Sequence, residues 1–327
     1  ENRSLALEVA AAARSRGIGS IVNSSDASDH PGSYRAFDRV IRGELETGLV
    51  PGLKISHLDE LPMPAWDLID VERYRNAWED AHGYFAMNLV TSRGCPYKCN
   101  WCAKPIYGDT YRCVSPSRAA AEMACVKDLF QPDQIWFADD IFALSPKWAR
   151  EFAGEVLRTG ARLPFKMQSR CDLMTRDSAE ALAAAGCEEV WMGAESGSQR
   201  VLDAMDKGIR VAQIREAREN LRRYGVRAGF FLQFGYLGEE WEDIEQTIAL
   251  VREVEPDSIG VSISYPMPNT RFHQIVESRI EATNWRDSGD LQVMFQGTFP
   301  TSFYRELSEA LHAKDWDAIE QMKCVAC

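Results

Sequence analysis

Cys95, Cys99 and Cys102 lie within eight residues of one another, in the run Thr91-Ser-Arg-Gly-Cys-Pro-Tyr-Lys-Cys-Asn-Trp-Cys102. Thiolates are the usual ligands of iron-sulfur clusters. A [4Fe-4S] cubane has four irons, so three sulfurs from one tight loop leave one iron open to a further ligand. An exchangeable metal position is what separates a catalytic site from a closed structural one. Gly94 and Pro96 suit a loop wrapped around a bulky cluster, the first by tolerating unusual dihedrals and the second by stiffening the turn. The competing readings are three buried inert cysteines or a zinc site, which would need Cys113 or the Cys324/Cys327 pair to complete it. Two unequal spacings in one loop, with chemistry-bearing residues at matching places after later strands, weigh against both.

The loop needs a scaffold, and from Tyr84 onward strand-like and helix-like segments alternate, as parallel strands joined by crossover helices do. Strands are expected near Phe85–Val90, Gln134–Ala138, Phe165–Gln168, Glu189–Gly193, Ala228–Gly235 and Ser258–Tyr265. Helices are expected near Pro116–Phe130, Lys147–Arg158, Arg176–Ala185, Val211–Tyr224 and Trp241–Val254. In these, apolar residues recur at three and four positions, as in Ile214, Ala217 and Leu221. An α/β fold closing as a partial (β/α)6 barrel follows, with its chemistry at the C-terminal ends of the strands. Before it, residues 1–50 read as the end of an α/β domain and 51–83, with Pro51, Pro62 and Pro64, as a linker. The barrel spans 84–270, and 271–327 form a mainly helical extension in which Phe295, Phe299, Phe303 and Tyr304 are candidates to cover the barrel mouth.

The strand ends carry a consistent set of polar groups. Asp139 and Asp140 follow the second strand and can meet an ammonium, or cap the helix beginning near Ser145. Ser169 and Arg170 follow the third, and a guanidinium fork suits a carboxylate, either of a ligand or in a surface salt bridge. Glu195 closes the fourth strand between Gly193 and Gly197, where it can accept from a pair of hydroxyls or cap the next helix near Ser198.

Composition narrows the setting. With 327 residues and 45% hydrophobic content the chain can bury a large core. Its net charge of -12 disfavours a nonspecific nucleic-acid surface. No apolar run long enough for a membrane span and no secretory pattern appear, so a cytoplasmic, membrane-free protein is expected. Nine cysteines at irregular spacing fit metal binding better than a disulfide framework.

The C-x3-C-x2-C run with Trp101 before its last cysteine resembles the signature of the radical S-adenosylmethionine superfamily. Ser92-Arg-Gly-Cys-Pro96 and the later Gly193-Ala-Glu-Ser-Gly-Ser198 resemble its cobalamin (B12)-binding subgroup. The resemblance implies that the open iron is chelated by the amine and carboxylate of S-adenosylmethionine, whose one-electron cleavage yields a 5'-deoxyadenosyl radical. It also implies Glu195 on the ribose; Asp139 or Asp140 is then the candidate for the methionyl amine, and Arg170, by its fork, for the carboxylate. The stretch around Gln233 would pack along adenine, and the Tyr265–Thr270 turn would contact it through backbone. Tyr265 and Phe142 are otherwise core aromatics. Two departures stand out, Leu237 where relatives have Pro and Asn269 where they have Gly.

The subgroup also implies cobalamin, bound by a longer N-terminal domain, since two short strands and a helix cannot bury a corrin and His30 reads as a solvated loop residue. The expected activity is a cobalamin-dependent methyltransferase at an unactivated carbon of a small-molecule or natural-product substrate, fed by an electron donor such as flavodoxin or ferredoxin. The alternatives are a radical cyclase or rearrangement enzyme, and a noncatalytic iron-sulfur redox module.

Overall fold

The computed structural model describes residues 2–50, 52–282 and 291–326. Trp285 and Cys327 lie outside the described residues, as does the side chain of Cys324. The chain opens with α1 (Asn2–Ser15), β1 (Ile21–Asn23), α2 (Ser25–Asp29), β2 (Arg39–Ile41) and α3 (Leu45–Leu49). β1 and β2 pair in parallel as a small separate sheet. The stretch expected as a linker carries α4 (Val71–His82), capped by Asp70 at its start and by left-handed Gly83 at its end. Tyr74 and Val71 pack this helix on the main core.

The principal sheet begins with β3 (Ala86–Leu89), followed by the hairpin β4 (Ser92–Arg93) and β5 (Arg112–Cys113). Then alternate α5 (Pro116–Phe130), β6 (Gln134–Phe137), α6 (Pro146–Thr159), β7 (Phe165–Ser169), α7 (Arg176–Ala185) and β8 (Cys187–Glu195). The remaining elements are α8 (Gln199–Ala204), α9 (Val211–Arg223), β9 (Arg227–Phe234), α10 (Trp241–Val254), β10 (Ser258–Ile263) and α11 (Arg271–Val276), and last α12 (Thr301–Ala313) and α13 (Trp316–Ala326). The six long strands stand in the order β10-β9-β8-β7-β6-β3, each neighbour parallel. This is the expected partial barrel. Its edge strands, β3 and β10, are those farthest apart in sequence.

The crossover helices start and stop where local chemistry dictates. α5 and α6 each begin with a serine cap followed by proline at the first helical position, and α6 and α7 end on left-handed Gly160 and Gly186. Phe137, Phe142, Phe152 and Phe165 interlock between sheet and α6, with Phe137 and Phe142 ring centroids 4.4 Å apart. Phe142 is therefore a core residue. The aromatics expected over the barrel mouth are core as well: Phe303 and Tyr304 of α12 are buried in the main cluster, Phe299 stacks on Phe303, and Phe295 packs on Phe272.

The N-terminal unit touches both open edges of the barrel at their C-terminal ends. Glu44 and Glu46 pair with Arg93 on β4, at 3.0 and 2.6 Å, and Glu44 also meets Arg112 on β5. Across the opening, Asn269 after β10 donates to Asp29 of α2 at 3.0 Å. His30 pairs with Asp26 at 3.1 Å and remains substantially solvated. Among the described residues no helix is long and apolar enough to cross a membrane.

At the end of β9, the Glu239 carboxylate folds back to accept the amide of left-handed Gly235 at 2.6 Å. Its other oxygen and the Tyr304 hydroxyl have no hydrogen-bond partner among the described residues. Burial pushes the Glu239 carboxyl up to about 8. Its folded pKa thus lies above the unfolded value of 4.5, so the stability this group contributes is fully present below about pH 4.5 and lost as pH rises toward 8. Glu239→Gln should remove that loss. The melting temperature of the variant, measured against wild type from about pH 5 to 8, is expected to hold level where wild type declines; parallel curves for the two proteins would contradict it.

Candidate active site

The cysteine loop occupies residues 94–111, between the two strands of the β4–β5 hairpin. Its start is fixed by Asp139 at the end of β6. That carboxylate accepts from the Thr91 amide at 3.0 Å, the Thr91 hydroxyl at 2.9 Å and the Ser92 hydroxyl. Gly94 follows with φ +79°, and a Cβ there would stand 1.9 Å from the Thr110 carbonyl oxygen, so glycine alone fits. Asn100, between the second and third cysteines, is buried and fully engaged. Its amide donates to Met205 O at 3.0 Å and its Nδ2 to Ala204 O at 2.7 Å. Its carbonyl accepts from the Phe272 amide at 2.8 Å, and its Oδ1 accepts from the Tyr236 hydroxyl at 3.1 Å.

The three thiols are partly buried and sense one another. Burial pushes the Cys102 thiol up to about 11, with the Cys99 and Cys95 charges adding to it, and burial also raises Cys95. Burial thus favours the protonated form of Cys95 and Cys102, and metal binding there would expel protons. Among the described residues no three His, Cys, Asp or Glu side chains group so as to hold a single ion. A cubane makes a different demand, because its irons occupy separate corners and each thiolate serves its own. A loop that presents three cysteines at a strand end is the kind of donor set a cubane takes.

Beside the loop lies a buried ion pair. β8 bulges between Gly193 and Glu195, and Glu195 takes the left-handed φ of +59°. This turns its carboxylate onto the Lys207 ammonium at 2.6 Å, with each side chain 6% exposed. Gly193 leaves the room: a Cβ there would come within 2.4 Å of the Glu195 carboxylate and 2.5 Å of Lys207 Nζ. Burial opposes the Lys207 charge, but Glu195 and the neighbouring Cys99 outweigh it and raise its pKa. Lys207 also stands 6.0 Å from the Trp101 ring centroid, and the Trp101 Nε1 is buried without a partner among the described residues. The helix after β8 is capped by Ser198 and that after β6 by Ser145, so neither Glu195 nor Asp139 acts as the cap.

Arg170 is engaged within the protein, in a salt bridge that is buried. Its fork is held by Asp172 at 2.9 and 3.4 Å and by Lys207 O at 2.9 Å, while Nη1 points at Cys99 Sγ at 3.9 Å. The guanidinium lies 3.6 Å from the Tyr97 ring centroid. It joins the cysteine loop to the Lys207 turn. Asp140 is exposed, and its charge is felt at Cys95 and Cys102. The other named residues are engaged in the scaffold at the same sheet end. Ser169 donates to Phe142 O at 3.4 Å, Gln233 to Ser264 Oγ at 3.1 Å, and the Tyr265 hydroxyl accepts from the Leu291 amide at 3.2 Å.

Residues 89–251, from the end of β3 to within α10, match the family model described as Radical SAM superfamily. The chain belongs to that superfamily. A radical SAM domain implies a [4Fe-4S] cluster and S-adenosylmethionine as its cofactor pair. An uncharacterized methyltransferase of Pyrococcus horikoshii is 30% identical over 236 residues, which cover 71% of this chain and 50% of that protein. An anaerobic magnesium-protoporphyrin IX monomethyl ester cyclase of Rubrivivax gelatinosus is 23% identical over 234 residues, 69% of this chain and 40% of the relative. The chain thus spans half or less of these relatives. The TsrM methyltransferase of Kitasatospora setae, solved with cobalamin and a [4Fe-4S] cluster, superposes with a TM-score of 0.56 at 20% identity, over 64% of this chain and 38% of that one. This last likeness is one of fold.

Lys207 and Asn100 are the residues that sequence reasoning missed. Lys207 lies twelve positions after Glu195 in an ordinary-looking turn, and only the bulge in β8 brings it over the site. Removing one partner of such a pair strands a buried charge. Lys207→Met is expected to cost about 3–5 kcal/mol in urea unfolding at neutral pH, with Glu195→Gln added to it restoring most of the loss. A single variant as stable as wild type would mean that the pair is not buried as described.

Proposed function

We propose that this radical SAM domain holds a [4Fe-4S] cluster through Cys95, Cys99 and Cys102, binds S-adenosylmethionine at the remaining iron and cleaves it reductively, as the opening step of methyl transfer to a small-molecule or natural-product substrate. The observation that carries this reading is the Glu195–Lys207 pair, buried beside Trp101 at the same sheet end as the three thiols. A redox carrier needs thiolates but has no use for a carboxylate and an ammonium held out of water next to them. When bound, the cluster supplies the single electron that breaks the sulfonium S–C5' bond.

The chain's own groups then divide the cosubstrate between them. Glu195, held by Lys207 at 2.6 Å, accepts from the ribose hydroxyls. Lys207 donates once to Glu195, and an ammonium has two further donors, which suits it to the methionyl carboxylate better than Arg170, whose fork is already filled. Arg170 instead steadies Cys99 and the Lys207 turn. Asp140, solvent-facing and near the thiols, meets the methionyl amine, while Asp139 serves the loop's anchorage. Gln233 and Ser169 shape the floor of the adenine site, and the backbone after Tyr265 lines its far side.

Cobalamin as the methyl carrier is supported by the cobalamin-bound TsrM structure. The seven described cysteines are all unpaired, which suits a reducing, cytoplasmic setting with a flavodoxin- or ferredoxin-like electron donor. The cyclase relative marks the other transformation that the same opening step can serve. Anaerobic reconstitution with iron and sulfide, followed by dithionite and S-adenosylmethionine, should give a brown protein that releases 5'-deoxyadenosine, detected by mass spectrometry. Cys99→Ala should abolish the release. A brown wild type that forms no nucleoside would favour the redox module, and undiminished release by the variant would refute the site.

A further inference from the structure

Lys104, two residues beyond the last cysteine, turns its side chain back over the loop and is 11% exposed there. An ammonium has three donors, and each is taken. One goes to the Cys95 carbonyl at 3.1 Å, one to the Tyr97 carbonyl, and one to Asp109 Oδ1 at 2.6 Å. The first two acceptors belong to the stretch between the first and second cysteines. The third closes a turn in which the Gly108 amide donates to Lys104 O at 3.1 Å. A fixed positive charge thus stands against the backbone that presents two of the thiols. Asp109 is 61% exposed, so its opposing charge is largely screened by solvent while that of Lys104 is not.

We propose that Lys104 is a positioning residue that fixes the shape of the cysteine loop and, through its charge, raises the reduction potential of the cluster. This rests on the cluster reading above. In the couple concerned, one electron passes from a low-potential donor to the cluster. No bond forms or breaks, no proton moves, and the cluster gains one negative charge. A nearby cation stabilises the more negative form, so its loss makes reduction harder, and loss of the anion paired with it makes reduction easier. Asp109 thereby becomes a counterweight whose removal acts in the opposite sense.

The test is a potentiometric titration of the reconstituted full chain, followed by the electron paramagnetic resonance signal of the reduced cluster, for wild type, Lys104→Met, Lys104→Arg and Asp109→Asn. Lys104→Met is expected to lower the reduced-to-oxidised ratio at fixed potential about tenfold, a downward shift of about 59 mV for one electron. Asp109→Asn should move the potential upward by a smaller amount, and Lys104→Arg should leave it near wild type. Opposite shifts from the two neutralised positions cannot come from a loosened loop. If Lys104→Met takes up no cluster, the other two variants decide: an upward shift in Asp109→Asn with Lys104→Arg unchanged supports the proposal, and no upward shift overturns it. Equal potentials in all four proteins overturn it as well. A wild type that assembles no cluster would overturn the underlying reading and this proposal with it, a result distinct from an intact cluster of unaltered potential.

Discussion

A loop bearing three thiols has to keep one shape without the ladder of hydrogen bonds that holds a helix or strand, and the structure depends on how this is achieved. Polar groups from distant strands supply the missing constraints. Asp139, from the end of β6, gathers three donors at the loop's start, and Asn100 spreads its backbone and side-chain hydrogen bonds across its middle. Hydrogen bonds to an ionised acceptor are each worth about 1.5–3 kcal/mol, and an unmet buried group costs a comparable amount, so the loop has little freedom to sample other arrangements. Gly94 adds a steric lock, because its left-handed turn against Thr110 admits no side chain.

The same sheet end concentrates charge away from water. Glu195 with Lys207 and Arg170 with Asp172 each neutralise themselves, which is what makes their burial tolerable. Arg170 ties the two pairs together by donating to the Lys207 carbonyl while its guanidinium lies over Tyr97 in the cysteine loop. Electrostatic preorganisation of this kind positions a charged ligand before it arrives. The N-terminal unit extends the network outward, since Glu44 and Glu46 grip the hairpin that carries the loop while Asp29 reaches the turn after the opposite edge strand. It straddles the gap an open barrel leaves.

Much of this was legible in the sequence, for identifiable reasons. Parallel strands are buried on both faces and read as apolar runs, so β7 and β9 fell within a residue or two of their expected bounds. The cysteine spacing and the Glu195 position were equally plain, because both are local patterns. What escaped depended on the fold. α4 follows a proline-rich stretch and buries Val71 alone, so it lacks a strong apolar stripe. The role of Lys207 follows from a bulge and a positive φ that no spacing announces. Arg170 showed its fork but not Asp172, its partner two residues on, and Asp139 and Asp140 looked interchangeable until one proved buried and the other exposed.

The central claim is that three thiols bind a cubane and leave its fourth iron to S-adenosylmethionine. Mössbauer spectroscopy of the iron-reconstituted chain, with and without S-adenosylmethionine, tests this most directly. The account predicts three irons in like sulfur surroundings and one distinct iron whose signal alone moves when the cosubstrate is added. Four equivalent irons, or a spectrum indifferent to S-adenosylmethionine, would contradict it.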